Sequence, residues 1–217
     1  MKSIALALLT LCACSPSPER AASIAADSAR TDSVSRARQD SINRAQPGYI
    51  VDSIFPIPEA LRRFRAAVGG APATAFASGS ASREALVERF VKAIAANDSA
   101  DLRAMAVTVR EFADLYYPDS PYSHPPYQQQ PGFAWGMIAM PSDAGMRDLL
   151  RKLGGSAITY MSHMCSANVE REGRTARHTD CTVTTRDLSA GEFTRRLFGS
   201  IVEHGGQFKF LSYTNRF

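Results

Sequence analysis

Residues 83–105 read REALVERFVKAIAANDSADLRAM, and this stretch decides the fold of the main body. Its apolar residues recur at the i, i+3, i+4, i+7 spacing that places them on one face of a helix. They are Val87, Phe90, Val91 and Ile94. Ser82 is the predicted N-cap of this helix, and Asn97-Asp98-Ser99 predicts its end and the cap of a second helix. We therefore expect two consecutive helices that press an apolar face against a core.

After residue 156 the chain changes from helical spacing to β-like segments. Four strands are predicted, over residues 157–169, 174–185, 193–203 and 207–215. Glu172-Gly173 and Gly205-Gly206 lie where tight hairpin turns belong. Residues 208–211, FKFL, alternate as a curved strand with one buried face would. Helices followed by an antiparallel meander indicate an α+β domain over residues 82–217, with the N-terminal helices packed on a curved antiparallel sheet.

A Pro-rich segment separates these helices from the strands. Residues 118–131 read PDSPYSHPPYQQQP and are predicted to form an extended loop. A short helix over residues 111–117 precedes the loop, and a helix over residues 133–153 follows it, with an interruption at Pro141 left open. The loop carries Tyr122 and Tyr127, so it is a candidate for lining a pocket mouth, although such a loop more often covers the core.

Two segments of different composition precede the α+β domain. Residues 14–46 are rich in Ser, Ala, Arg and Asp and contain no aromatic residue, which predicts a disordered, low-complexity tether. Because Ala and Arg favour helix, a transient or partner-binding helix is the alternative. Residues 47–81 are predicted to form an N-terminal arm and connector. In this arm a short helix over residues 59–68 is followed by a flexible stretch at 69–81.

The first fourteen residues, MKSIALALLTLCAC, have the layout of an export signal. Lys2 is a positive n-region, and residues 4–11 form an apolar h-region too short to span a membrane. Leu11-Cys12-Ala13-Cys14 resembles the bacterial lipobox, Leu-x-Ala/Gly-Cys. The resemblance implies that residues 1–13 are removed and that Cys14 is lipidated, which anchors an exported protein to the bacterial cell envelope. Ser15 after the cysteine favours the outer membrane where the host has one. The alternative is an ordinary secretory signal with a chance cysteine.

With Cys12 removed and Cys14 lipidated, two thiols remain, Cys165 and Cys181. They are equidistant from Gly173 in the predicted turn, so one hairpin register places them opposite each other. Opposed Cα atoms in a non-hydrogen-bonded pair lie ~4.5 Å apart, which is within disulfide reach. Export supplies the oxidising environment. We therefore predict a Cys165–Cys181 disulfide, with two buried free thiols as the alternative.

The opening helices, REALVERFVKAIAANDSADLRAM, and the closing strands, LFGSIVEHGGQFKFLSYTNRF, resemble the nuclear transport factor 2-like (SnoaL-like) superfamily. The resemblance covers residues 80–217. It implies a cone-shaped fold with a pocket between the helices and the concave sheet, and a homodimer formed through the sheet. Some relatives are isomerases, cyclases or dehydratases, whereas many others are non-catalytic binding or assembly modules. The fold alone therefore does not choose a function.

Candidate pocket residues follow from this cone. They are Tyr116, Tyr117, Trp135, His163, His178 and Asp180. His163 and His178 lie on adjacent predicted strands, and with Asp180 or Tyr160 nearby one of them is a candidate general base. A partly exposed or hydrogen-bonded strand histidine is the more ordinary interpretation, and His204 at the Gly-Gly turn is expected in solvent. The sequence has no metal-ligand spacing, no Gly-x-Ser-x-Gly and no phosphate-binding glycine loop, so no catalytic residue, metal or cofactor is predicted.

The charge balance limits the classes of partner. The chain has 25 Lys and Arg against 21 Asp and Glu, with no basic cluster, so no nucleic-acid partner is expected.

Three hypotheses remain for the function of the chain. The first is a lipid-anchored binding or scaffold module of the cell envelope, with a protein or small-molecule ligand. The second is an envelope enzyme of isomerase, dehydratase or hydrolase type that uses a pocket His or Asp for proton transfer. The third is an interaction protein whose loop at residues 118–131 docks a partner. The tether, the export signal and the lack of a catalytic motif favour the first.

Overall fold

The computed structural model describes residues 17–45 and 54–215 of the chain. The predicted signal peptide, the lipidation site Cys14 and residues 46–53 lie outside the described residues. The chain divides into two compact units, Met1–Ile54 and Phe55–Phe217, which are described separately.

In the first unit, helix α1 spans Pro18–Arg44, where the sequence predicts a disordered tether. The difference follows from composition, because the Ala and Arg that dominate this segment are good helix formers. The apolar residues Ile24, Val34 and Ile42 are all exposed and do not form a stripe. Helix α1 therefore has no apolar face of its own.

The second unit contains the remaining helices and all the described strands. The helices are α2 (Ile57–Val68), α3 (Arg83–Ala95), α4 (Ser99–Met105), α5 (Val109–Glu111) and α6 (Pro131–Leu153). Helix α5 continues into a π-helical turn at Phe112–Tyr116 and 3-10 turns at Tyr117–Asp119 and Pro121–Ser123. The strands are β1 (Ile158–Met164), β2 (Glu170–Glu172), β3 (Thr175–His178), β4 (Thr182–Asp187), β5 (Gly191–Arg195), β6 (Ser200–His204) and β7 (Gln207–Ser212).

The predicted α+β class, with helices followed by antiparallel strands, is confirmed. The strands form two sheets, however, in the orders β1-β4-β5 and β2-β3-β6-β7, where one curved sheet was expected. The reason is that the second and third predicted strands are each broken, so that each contributes to both sheets, and the short strand β2 follows the first predicted strand. At one break Asp180 takes a left-handed conformation, with φ 50°, which ends β3.

The predicted disulfide joins the two strands at this break. Cys165 and Cys181 are bonded, with their Cα atoms 3.9 Å apart. Next to them the amide of Ser166 donates to the carbonyl of Thr179 at 2.9 Å, so the hairpin remains paired through the bend. The pairing inferred from the symmetric spacing about Gly173 is thus confirmed, although both cysteines lie just outside the regular strands.

The first core fills the space between α3 and the sheets. Phe90 of α3 is fully buried, and its ring centroid lies 5.0 Å from that of Phe210 and 5.5 Å from that of Phe198. Tyr213 stacks on Phe90 at 5.8 Å. The predicted apolar face of α3 is therefore buried as expected. Four aromatic rings fill the space between α3 and the sheets, where a pocket was expected.

A second core lies on the other face of strands β6 and β7. Phe112 and Leu115 from the π-helical turn and Ile138 from α6 pack there against Val202 and Leu211. The expectation that residues 208–211 have one buried face is therefore wrong, because α6 and the turn after α5 cover the second face.

The connector at residues 69–81 is held to this domain, where the sequence predicts a flexible stretch. The amide of Ala73 donates to Asp114 at 2.8 Å, and the amide of Ala77 donates to Glu111 at 2.6 Å. Ser80 then pairs with Phe208 as an isolated bridge. These bonds tie the connector to residues of the π-helical turn, of α5 and of β7, so backbone groups that were expected in solvent have protein partners.

Helix α6 runs without a break through Pro141. One turn later Gly145 lies against the backbone of Tyr213, where an added Cβ would overlap the carbonyl oxygen. Glycine is therefore needed at this position for the helix to approach the end of β7.

Candidate functional site

A half-open cleft of about 270 Å³ lies between α6, the link from α4 to α5 and the end of β7. Residues on one face of α6 form its longest wall, because their spacing places them on the same side of the helix. They are Trp135, Ile138, Ala139, Ser142 and Met146. Leu211 and Tyr213 of the β7 segment form the opposite side. The lining is mainly aliphatic and aromatic, which suits an apolar ligand.

Edge pairing positions the third wall of this cleft. Strand β7 is an edge of the four-stranded sheet, and the α4–α5 link lies along it. Ala106 forms a parallel bridge with Phe210, and the amide of Val107 donates to the Phe210 carbonyl at 2.9 Å. The link therefore covers the edge of the sheet and brings Thr108 to the cleft, and the last turn of α4 brings Arg103.

The aromatic residues of the cleft are fixed by contacts outside it. The Trp135 ring centroid lies 5.2 Å from that of Phe112, which is fully buried in the second core. The hydroxyl of Tyr213 donates to the Leu102 carbonyl at 2.6 Å. Two charged residues, Arg103 and Asp143, lie among the cleft residues, and both are exposed. The site therefore has rigid apolar walls and charged groups in contact with solvent.

Of the predicted pocket residues, Trp135 lines this cleft, and the two tyrosines lie in the second core. Burial raises the pKa of Tyr116 and raises the pKa of Tyr117 to about 12. The Tyr117 hydroxyl donates to the Gln129 carbonyl at 2.6 Å, so it anchors the Pro-rich loop. Tyr127 of that loop is exposed, whereas Tyr122 is half-buried against the second core.

His163 and His178 are each engaged within the protein. His163 Nδ1 lies 2.9 Å from the Tyr160 hydroxyl. His178 is 5 % exposed, and its Nδ1 lies 3.5 Å from the Arg83 guanidinium. Burial lowers the pKa of both histidines, and the charge of Arg83 lowers them further. Burial and the Arg83 charge therefore both favour the neutral form of each ring.

The carboxylate beside His178 is Glu203, where the sequence suggested Asp180. The Oε2 atom of Glu203 lies 3.5 Å from His178 Nε2, and this buried nitrogen has no hydrogen-bond partner among the described residues. Asp180 is exposed in the turn after β3 and pairs with Arg196 at 3.2 Å. Glu203 faces Ala176 across the β3–β6 ladder, and this position makes Glu203 the diagonal neighbour of His178. Strand alternation in β6 was the signal that would have found it.

His204 is buried, where the sequence predicts a solvated side chain at the Gly-Gly turn. It is 6 % exposed, its ring lies 5.9 Å from that of Phe76, and its Nδ1 lies 3.3 Å from the Thr175 hydroxyl. Phe76 of the connector covers the His204 ring, so the contact joins two residues that are far apart in the sequence. Burial lowers the pKa of His204.

Neither a metal-binding cluster nor a membrane-spanning helix is found among the described residues. Within residues 17–45 and 54–215, no three His, Cys, Asp or Glu side chains are grouped as metal ligands would be. Among these same residues no helix combines the length and hydropathy of a membrane span. Comparison of the chain with protein-family models, with curated proteins and with solved structures found no match.

Proposed function

We propose that this chain is a lipid-anchored cell-envelope protein that acts as a binding module, and that the cleft between α6 and β7 is its ligand site. The observation that carries the proposal is the cleft itself, with its rigid Trp135 wall and apolar lining. The ligand class that suits it is a small apolar molecule, since the volume of about 270 Å³ lies just below the range of about 300–1,000 Å³ that is usual for ligand pockets.

The N-terminal sequence supports the cellular part of the proposal. The N-terminal segments follow the order of a lipoprotein signal: the positive residue Lys2, the apolar residues 4–11, and then Leu11-Cys12-Ala13-Cys14. The Cys165–Cys181 disulfide is compatible with export, because disulfides persist in oxidising compartments. A lipid anchor at Cys14 holds the binding module in the cell envelope.

The likeness to the nuclear transport factor 2-like superfamily forms part of the proposal. The order of an amphipathic helix, a second helix and antiparallel strands supports it. In this chain the space between α3 and the sheets holds Phe90, Phe198, Phe210 and Tyr213. We therefore place ligand binding on the opposite face of β7, beside α6, and not in the interior of a cone.

The enzyme hypothesis has one supporting observation, which is that the buried His178 Nε2 lies beside the Glu203 carboxylate and has no hydrogen-bond partner among the described residues. A histidine with a carboxylate neighbour is the ordinary arrangement of a general base. His178 is only 5 % exposed, however, and Phe208 packs at 6.1 Å from its ring, so a substrate reaches it only if these residues move.

Filling the cleft tests the binding site. The substitution Ala139→Phe places a ring in the cleft, and we expect it to weaken binding of the apolar dye anilinonaphthalene sulfonate to the folded full chain about tenfold, a loss of ~1.4 kcal/mol. Dye fluorescence during titration measures the affinity. Ala144→Phe is the matched control, because Ala144 is an exposed residue of α6 that is not part of the cleft. Equal dye affinity in the Ala139→Phe variant and in the unmodified chain would contradict this site.

Replacement of the lipidated cysteine tests the anchor. In a bacterial host with two membranes, we expect the Cys14→Ser variant to lose incorporation of labelled palmitate and to move from the membrane fraction to the soluble periplasmic fraction, because acyl chains supply the membrane affinity. Cys12→Ser is the matched control and retains both label and membrane association. Palmitate label on the Cys14→Ser variant, or none on the unmodified chain, would overturn the lipoprotein assignment while leaving the cleft proposal to its own test.

A further inference from the structure

A second cleft, of about 260 Å³, lies where the ends of strands β3 and β7 meet the link from β5 to β6. Its lining differs from that of the first cleft, because it is dominated by cationic and hydroxyl side chains. They are Arg177, Arg196, Thr179, Ser200, Ser212 and Thr214. Such side chains are hydrogen-bond donors, and two arginines in one cleft favour an anion over a cation or an apolar group.

Arg177 supplies a donor that the protein leaves unused. Its Nη2 is ion-paired with Glu170, which is its cross-strand partner on β2. Its Nε, by contrast, is buried and has no hydrogen-bond partner among the described residues. A buried N–H without an acceptor is unfavourable, so an acceptor oxygen within the cleft would stabilise this arrangement.

Arg196 supplies the second guanidinium. Its Nη1 lies 3.2 Å from the Asp180 carboxylate, which is 71 % exposed. This contact uses one of the five N–H groups that a guanidinium carries, and solvent screens it. Arg196 therefore keeps donors that are available to a ligand.

We propose that this cleft binds a phosphoryl group, either as inorganic phosphate or as a phosphate monoester. The donors come from separate segments, namely Arg177 on β3, Arg196 and Ser200 on either side of the β5–β6 turn, and Ser212 at the end of β7. Donors that converge from several directions match the tetrahedral oxygens of a phosphoryl group better than the two coplanar oxygens of a carboxylate. This inference goes beyond the proposed function, because the two clefts share no residue.

Calorimetry on the folded full chain tests the proposal. Inorganic phosphate, glycerol phosphate and acetate are titrated separately at constant ionic strength and at a pH near 8. We expect saturable binding of a phosphoryl compound at one site and at least about tenfold weaker binding of acetate. Tighter binding of inorganic phosphate identifies the free anion as the ligand type, and tighter binding of glycerol phosphate identifies a monoester.

Two arginine variants make the test specific. Arg196→Gln is expected to weaken phosphate binding at least about tenfold, since it removes a charge-assisted donor. Arg177→Lys keeps a cation opposite Glu170 but removes the Nε donor, and it is expected to weaken binding as well. Arg186→Gln is the matched control, because Arg186 pairs with Glu192 on the β4–β5 hairpin and is not part of the cleft. The proposal is overturned by absence of saturable phosphate binding, by acetate binding equally well, or by equal losses in the Arg196→Gln and Arg186→Gln variants.

Discussion

Replacement of Lys209 by Met is expected to lower the free energy of unfolding by about 3–5 kcal/mol, because it leaves a buried carboxylate without its cation. Lys209 Nζ lies 2.9 Å and 3.1 Å from the two carboxylate oxygens of Glu111. The side chains of Lys209 and Glu111 are only 1 % and 3 % exposed. Met has nearly the same length as Lys, so the change removes the charge with little change in volume.

The rest of the Glu111 environment explains why this carboxylate stays in place. Its Oε2 accepts from the amide of Thr108 at 2.8 Å, and its Oε1 accepts from the amide of Ala77 at 2.6 Å. Glu111 therefore joins the capping box of α5, the connector and β7. Burial lowers the pKa of Lys209 even though Glu111 opposes this effect, as expected for a pair that has lost most of its hydration.

Denaturant unfolding measures this effect, and two variants control it. Lys92→Met removes an exposed lysine that pairs with Glu88 on α3, and we expect a change of less than about 0.5 kcal/mol. Glu111→Gln combined with Lys209→Met removes the uncompensated charge, so the double variant is expected to be more stable than Lys209→Met alone. If Lys209→Met costs no more than Lys92→Met, the ion pair is not needed for stability.

Loss of the Cys165–Cys181 disulfide is expected to lower the free energy of unfolding by about 3 kcal/mol. The bond joins residues separated by 16 positions and encloses β2 and β3. Without it the unfolded chain gains the conformational freedom of an open loop, and the bend between the two sheets loses its cross-link. Cys181 is fully buried, so alanine is the appropriate replacement at both positions, since serine would bury a hydroxyl group.

The measurement compares unfolding of the unmodified chain and of the Cys165→Ala/Cys181→Ala variant, each with and without a reductant. We expect the reductant to destabilise the unmodified chain to about the level of the double variant, and to leave the double variant unchanged. An unmodified chain whose stability does not respond to the reductant, or a double variant that responds equally, would contradict a stabilising disulfide.

Features that depend on short-range spacing could be predicted from the sequence. The helix over α3 follows from the spacing of four apolar residues and from Ser82, whose hydroxyl accepts the amide of Ala85 at 3.0 Å. The cysteine pair follows from its symmetric spacing about one turn. In both cases the residues that decide the structure are near one another along the chain, so local periodicity and turn geometry are sufficient.

The candidate site could be predicted only in part, because most of it is formed by segments distant in sequence. Trp135 was singled out, but the cleft that it lines also needs the edge pairing of Ala106 with Phe210. His178 was singled out as well, but its carboxylate neighbour depends on the β3–β6 register, which places Glu203 and not Asp180 beside it. Composition and spacing within one segment do not contain this information.

The sequence by itself determined the α+β class, in which helices precede antiparallel strands, and the disulfide, because each follows from spacing within a short segment or one hairpin. Only the tertiary structure decided that polar residues such as Lys209 and His204 and the second face of β7 are buried. Lys209 pairs with Glu111 across 98 positions, and His204 is covered by Phe76 of the connector. The packing of α6 and of the α4–α5 link against β7 makes one cleft, and the β5–β6 link beside the ends of β3 and β7 makes the other. The physical reason is that burial depends on what packs against a residue, and the covering residues come from distant parts of the chain.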